Sequence, residues 1–94
     1  MVEIEWSPTA ENDFNEIIDY IAQDSPQYAS LFYEQVHEKV ENLNKFIKLG
    51  RKVPELDDPN IREIILRSYR LIYRIFEEKI QIVRIIHGSR ILSL

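Results

Sequence analysis

Two Ser-Pro dipeptides, Ser7-Pro8 and Ser25-Pro26, constrain this chain more than any other feature. A serine hydroxyl can accept from an orphan backbone N–H at a helix start, and a proline at the first helical position has no N–H to leave unpaired. Each dipeptide is followed by apolar residues at helical spacing. After the first come Ala10, Phe14, Ile17, Ile18 and Ile21, with Glu11, Asp13, Glu16 and Asp19 mostly off that stripe and Asp24 at its end. After the second come Ala29, Phe32, Val36, Val40, Leu43 and Ile47. This second stripe predicts one long amphipathic helix, with Gly50 as its left-handed terminal residue and Lys45 and Lys48 at the negative end of the dipole. The break between the two stripes is so short that the helices must be antiparallel neighbours.

The rest of the chain has a different period. Val2, Ile4 and Trp6 alternate with Glu3 and Glu5, which predicts a short strand. Residues 50–60, with Pro54 and Pro59, read as a loop. Three β-rich runs follow: Ile61 to Leu66, Tyr69 to Phe76 and Ile80 to His87. The breaks at Arg67-Ser68 and Glu77-Glu78-Lys79 are short enough for hairpins. The predicted fold is α+β, in the order β-α-α-β-β-β, with a helical hairpin packed on one face of an antiparallel sheet. Residues 1–94 form a single domain, and strand one runs antiparallel to strand two if the two are neighbours. Phe14, Ile18, Phe32, Val36, Val40, Leu71, Tyr73 and Ile82 are the expected core.

Composition excludes several classes of function. The chain has no cysteine, so it has no disulfide scaffold, thiolate zinc site or cysteine nucleophile. Its apolar runs fall far short of the ~20 residues of a membrane span. The start, Met1 to Trp6, lacks the basic and apolar regions of a signal peptide. A soluble cytoplasmic domain without metal or cofactor is expected. The net charge of -4 conceals a division: residues 1–44 hold ten acids against one base, Lys39, and residues 45–94 hold eleven bases against six acids. Such a half can offer a local positive patch to a polyanion, or simply carry solvated charges.

Strand alternation sorts the last two strands. Leu71, Tyr73, Ile75, Ile80, Ile82 and Ile86 are assigned to the helices, and Arg84 is the exception on that face. Arg70, Arg74, Gln81 and His87 are assigned to an open face. Arginine holds phosphate through a planar fork and histidine moves protons near neutral pH, so this face is the candidate site. Ordinary cross-strand pairing of the arginines is the alternative.

Three segments carry a family resemblance: Ile4 to Ala10 leading into Ile18 to Ala22; Leu49 to Leu56 followed by Ile61-Arg62-Glu63; and Tyr69 to Ile75 with Ile82 to Leu92. In order and over nearly the whole chain, they resemble the RelE/ParE superfamily of type II toxin–antitoxin toxins. The resemblance implies the β-α-α-β-β-β fold, a cognate antitoxin partner, and one of two targets. RelE-like members are metal-free messenger-RNA endonucleases of the ribosomal A site, whereas ParE-like members bind DNA gyrase. Arg70 matches an arginine, and His87 a histidine, that some of the ribonucleases use in catalysis. The Gly88 after His87 departs from the tyrosine frequent there, and the His87-to-Arg90 ending looks more like the gyrase-directed members. Lys52, Arg74 and Arg90 are the implied binding residues, expected to converge with Arg70 and His87 on the open face, Lys52 at its rim. The resemblance therefore favours a gyrase-directed toxin. The alternatives are a ribosome-dependent endonuclease and a degenerate toxin kept only as an antitoxin partner.

Overall fold

The computed structural model describes residues 2–93; Met1 and Leu94 lie outside them. Both Ser-Pro caps form as expected. Ser7 Oγ accepts from Ala10 N–H at 3.0 Å and opens α1 (Pro8–Asp24); Ser25 Oγ accepts from Tyr28 N–H at 3.1 Å and opens α2 (Pro26–Asn42). Strand β1 is Glu3–Trp6, β2 is Arg51–Lys52, β3 is Ile61–Leu66, β4 is Tyr69–Ile75 and β5 is Lys79–His87. The α+β fold class holds: five strands form one sheet, ordered β1-β5-β4-β3-β2, with the helical hairpin on one face.

Four expectations need correction. First, β1 is not beside the next strand in sequence. It lies parallel to β5, with Glu3 opposite Lys79 and Trp6 opposite Ile82. The helical hairpin and the segment after it carry the chain across the sheet, so β2 and β3 begin at the far side and β5 is left with an open edge for β1. Lys79 Nζ and Glu5 Oε2, 2.9 Å apart, join that edge.

Second, the long second helix stops early. Leu43, Asn44 and Lys45 donate to carbonyls three residues back, which tightens the chain into turns after Asn42. Leu43 is nevertheless fully buried and Ile47 packs on the core, so the apolar stripe outlasts the helix. Third, Gly50 does not end a helix in the left-handed region. It is needed for close approach instead: a Cβ there would stand 2.5 Å from the Glu63 carbonyl oxygen. Gly50 N–H donates to Tyr73 Oη at 2.8 Å, and Tyr73 Oη donates to the Ile47 carbonyl at 2.9 Å. Adjacent residues of the expected loop form β2, antiparallel to β3. Two residues between Gly50 and Val53-Pro54 are too few to show a period.

Fourth, the face assignment fails partway along β5. A register shift opposite Ile72/Tyr73 pairs Tyr73 with Ile82 but Ile72 with Arg84, leaving Val83 as the extra residue of a bulge. Beyond it the alternation is reversed. Ile85, not Ile86, joins Leu71, Tyr73, Ile80 and Ile82 beneath the helices. Ile86 joins Ile72, Ile61, Val53 and Leu92 in a second small core on the other face. Arg84 does not reach past the helices to water. Its guanidinium is bidentate to Asp13 of α1, at 2.7 and 3.2 Å, and Asp13 also accepts from Ile85 N–H at 3.0 Å.

The buried Tyr73 hydroxyl is thus the tie between the sheet and the segment leading into β2. Tyr73→Phe leaves Gly50 N–H and the Ile47 carbonyl without that partner and is expected to lower stability by about 1–3 kcal/mol. Equilibrium urea unfolding measures the loss.

Candidate functional site

The candidate residues are dispersed by the bulge in β5 and by a cover over the sheet. The face called open is covered. The segment after β2 and the chain beyond β5 fold over it, burying Val53 and Leu92 against Ile61, Ile72 and Ile86. Arg70 lies beneath this cover and is only 5% exposed.

All five guanidinium N–H groups of Arg70 can be assigned partners. Its Nε donates to Glu63 Oε1 at 2.7 Å, and one terminal nitrogen lies 2.6 Å from the same oxygen and 2.7 Å from Glu55 Oε1. The other terminal nitrogen donates to Glu55 Oε2 at 2.6 Å and to the Arg90 carbonyl at 2.9 Å. Glu63, whose side chain is fully buried, is also held by Arg51 Nε at 2.7 Å. Glu55 accepts from Leu92 N–H at 2.9 Å. One guanidinium therefore joins β3, β4, the segment after β2 and the C-terminal segment. The Arg70 bond, then the Leu92 N–H, holds the Glu55 carboxyl down at about 2. Pairing with Glu55 and Glu63 raises the Arg70 pKa above its already high ordinary value.

His87 is elsewhere. The bulge turns it to the helix side, opposite Tyr69, with ring centroids 5.7 Å apart. Its Nδ1 accepts from Ser89 N–H at 3.2 Å and lies 2.8 Å from Ser89 Oγ. It lines a shallow cleft of about 220 Å³ with Tyr20, Tyr69, Asp13, Glu16 and Arg90. Arg90 is the only arginine or lysine in that lining among the described residues, and it shares the cleft with two carboxylates, Asp13 paired to Arg84 and Glu16 accepting from Asn12. Arg74 is half-buried, its guanidinium 5.9 Å from the Phe76 ring centroid. Lys52 is exposed on β2, opposite Arg62. Arg70 and Arg90 do meet, but through the backbone carbonyl of Arg90. The expected convergence of Lys52, Arg70, Arg74, His87 and Arg90 on one open face does not occur, because the bulge and the covering segments separate them. Among the described residues no group of three or more metal-ligating side chains is assembled, and no helix is long and apolar enough to cross a membrane.

Sequence reasoning missed Glu55 and Glu63, the partners that define the state of Arg70. One signal was available: Glu63 shares its strand face with Ile61 and Ile65, and an acid inside so apolar a strand calls for a buried cation. The hairpin expected at Arg67-Ser68 does form, and Arg67 is the single non-glycine residue with positive φ among the described residues, at 54°. It turns the β3–β4 hairpin, with its guanidinium over Tyr28 and its Nε donating to Gln35.

Residues 4–92 match the family described as the ParE toxin of the type II toxin–antitoxin system parDE. The chain belongs to the ParE toxin family. The fold recurs in solved structures. The protein is similar to a chain of the chromosomal ParDE toxin–antitoxin system of P. aeruginosa, at 25% identity and a TM-score of 0.75, covering 95% of this chain and 98% of that one. The YoeB dimer from Staphylococcus aureus shares the fold at 18% identity and a TM-score of 0.64, with 92% and 95% covered. The protein HP0894 from Helicobacter pylori does so at 16% identity and 0.56, with 96% and 98% covered. No curated protein matches the sequence.

The pairing of this ParE-family chain's Arg70 generates two predictions. Arg70→Ala leaves the buried Glu63 carboxylate beside a cavity with only the exposed Arg51 as counter-ion, and is expected to cost about 3–5 kcal/mol, read by urea unfolding. Lysine cannot reproduce the planar fork, so Arg70→Lys is expected to rescue little of it. The second concerns acid. The Glu55 pKa is lower in the folded chain than the roughly 4.3 of an unfolded one. Its contribution is fully present above the unfolded value and lost as pH falls towards about 2. Glu55→Gln should flatten the stability profile across that interval, and the Leu92 amide should lose hydrogen-exchange protection in the same interval in the unaltered protein.

Proposed function

We propose that this protein is the toxin of a two-protein module, that it arrests growth by binding DNA gyrase in the cytoplasm, and that a cognate antitoxin masks it. The family match and the ParDE neighbour support the toxin and its partner. The observation that carries the choice of target is the occupied state of Arg70. Metal-free cleavage of RNA needs a cation free to take the phosphate and a base within reach of the attacking hydroxyl. The Arg70 guanidinium is fully engaged by Glu55 and Glu63, and His87 stands on the helix side of the sheet beside carboxylates. The arrangement suits a folding and docking surface better than a reaction centre. In this reading Arg90, Arg74 and Lys52 are exposed or half-exposed contacts for the target, and Arg70 holds the segment that presents Arg90.

The purified protein is expected to inhibit gyrase supercoiling and to leave messenger RNA intact on programmed ribosomes. Arg90→Ala should weaken inhibition in proportion to lost affinity, and His87→Ala should leave it nearly unchanged. Ribosome-dependent cleavage lost in His87→Ala would replace this reading with an endonuclease. Inactivity in both assays would leave a non-toxic antitoxin partner.

A further inference from the structure

The N-terminal half contains an aromatic site that the toxin reading does not use. Phe14 of α1 is 6% exposed and carries two stacked rings. Trp6 at the end of β1 lies 5.4 Å from it at an interplanar angle of 18°, and Tyr33 of α2 lies 5.4 Å from it at 10°. Trp6 and Tyr33 are therefore close to parallel. His37, one turn beyond Tyr33 on α2, closes on the group, 4.5 Å from Tyr33, 5.7 Å from Phe14 and 6.1 Å from Trp6. These four rings, with Glu11 and Asn15 at the lip, line a cleft of about 230 Å³. Tyr33 is 51% exposed, so the group opens to solvent.

We propose that this cleft is a binding site for a guanidinium group, the side chain of an arginine presented by a partner protein. The π faces of tryptophan, tyrosine and phenylalanine carry negative potential and attract a cation placed over them. Neither lysine nor arginine is in the lining, and Glu11 has no ion-pair partner among the described residues. The surrounding field has the same sign, since residues 1–44 hold ten acids and one base. These charges disfavour an anion, and the Glu11 and Asn15 lip disfavours a purely apolar side chain. Guanidinium fits better than ammonium because it is planar, weakly hydrated and stacks on aromatic faces while its edge donates to a carboxylate. This site is independent of which target the toxin acts on.

Trp6 is the only tryptophan in the chain, so its fluorescence reports on the cleft directly. Titration at constant ionic strength with N-acetyl-argininamide should change Trp6 emission saturably, whereas N-acetyl-citrullinamide, its neutral counterpart, should not. Tyr33→Leu should weaken the response about fivefold or more. Glu11→Gln, an exposed change that leaves the aromatic rings intact, should weaken it about two- to fivefold. An equal response to the citrulline compound, the absence of saturation, or unchanged binding in both variants would overturn the proposal.

Discussion

Taking Arg70 out of water is the most demanding thing this fold does. A buried guanidinium is tolerated only if its donors are matched and its charge is balanced. Here two carboxylates and a backbone carbonyl share its five donors, and Arg51 supplies the remaining charge for Glu63. Glu63 is held in β3, but Glu55 and the Arg90 carbonyl come from parts of the chain that have little else to hold them. The segment after β2 has two prolines and the segment after β5 has no regular structure. Each closes on the sheet by placing apolar side chains, Val53 and Leu56 or Leu92, on the small second core and polar groups, the Glu55 carboxylate or the Arg90 carbonyl and Leu92 N–H, on the Arg70 network.

The bulge at Val83 has the complementary effect at the other side of β5. It aims Arg84 at Asp13, which fastens α1 to the sheet by a fork and a backbone N–H together. It also exchanges Ile85 for Ile86 beneath the helices, so one sheet feeds two cores of unequal size. One inserted residue thereby decides both where the helices attach and which side of the sheet His87 occupies.

Most of the architecture was legible in the sequence because it rests on local chemistry. The serine caps are read from two dipeptides, and Phe32, Val36 and Val40 are read from a single period. What was not legible depends on distant partners. Nothing near Ile85 announces a bulge, because its cause lies in β4 and in Asp13, 72 residues away. The same is true of the site. Arg70 was assigned with Arg74 to an open face, but its exposure was misjudged, since the acids that neutralise it sit seven and fifteen residues earlier, Glu55 in a segment that has no period to read. The Tyr33 and His37 pair shows the opposite case: spaced one turn apart beside the apolar stripe, it could have been found from the helix alone.

The placement of β1 against β5 bears on how the protein is made. Glu5 meets Lys79 across 74 positions of chain, so the first strand to be synthesised waits for the last. The caps and the mutual packing of the two helices are local and can form early, whereas β1 must remain unpaired until β5 emerges. A truncated translation product therefore lacks both the closed sheet and the C-terminal segment that covers Arg70. In this toxin family member the fold closes only after β5 and the segment beyond it have been made.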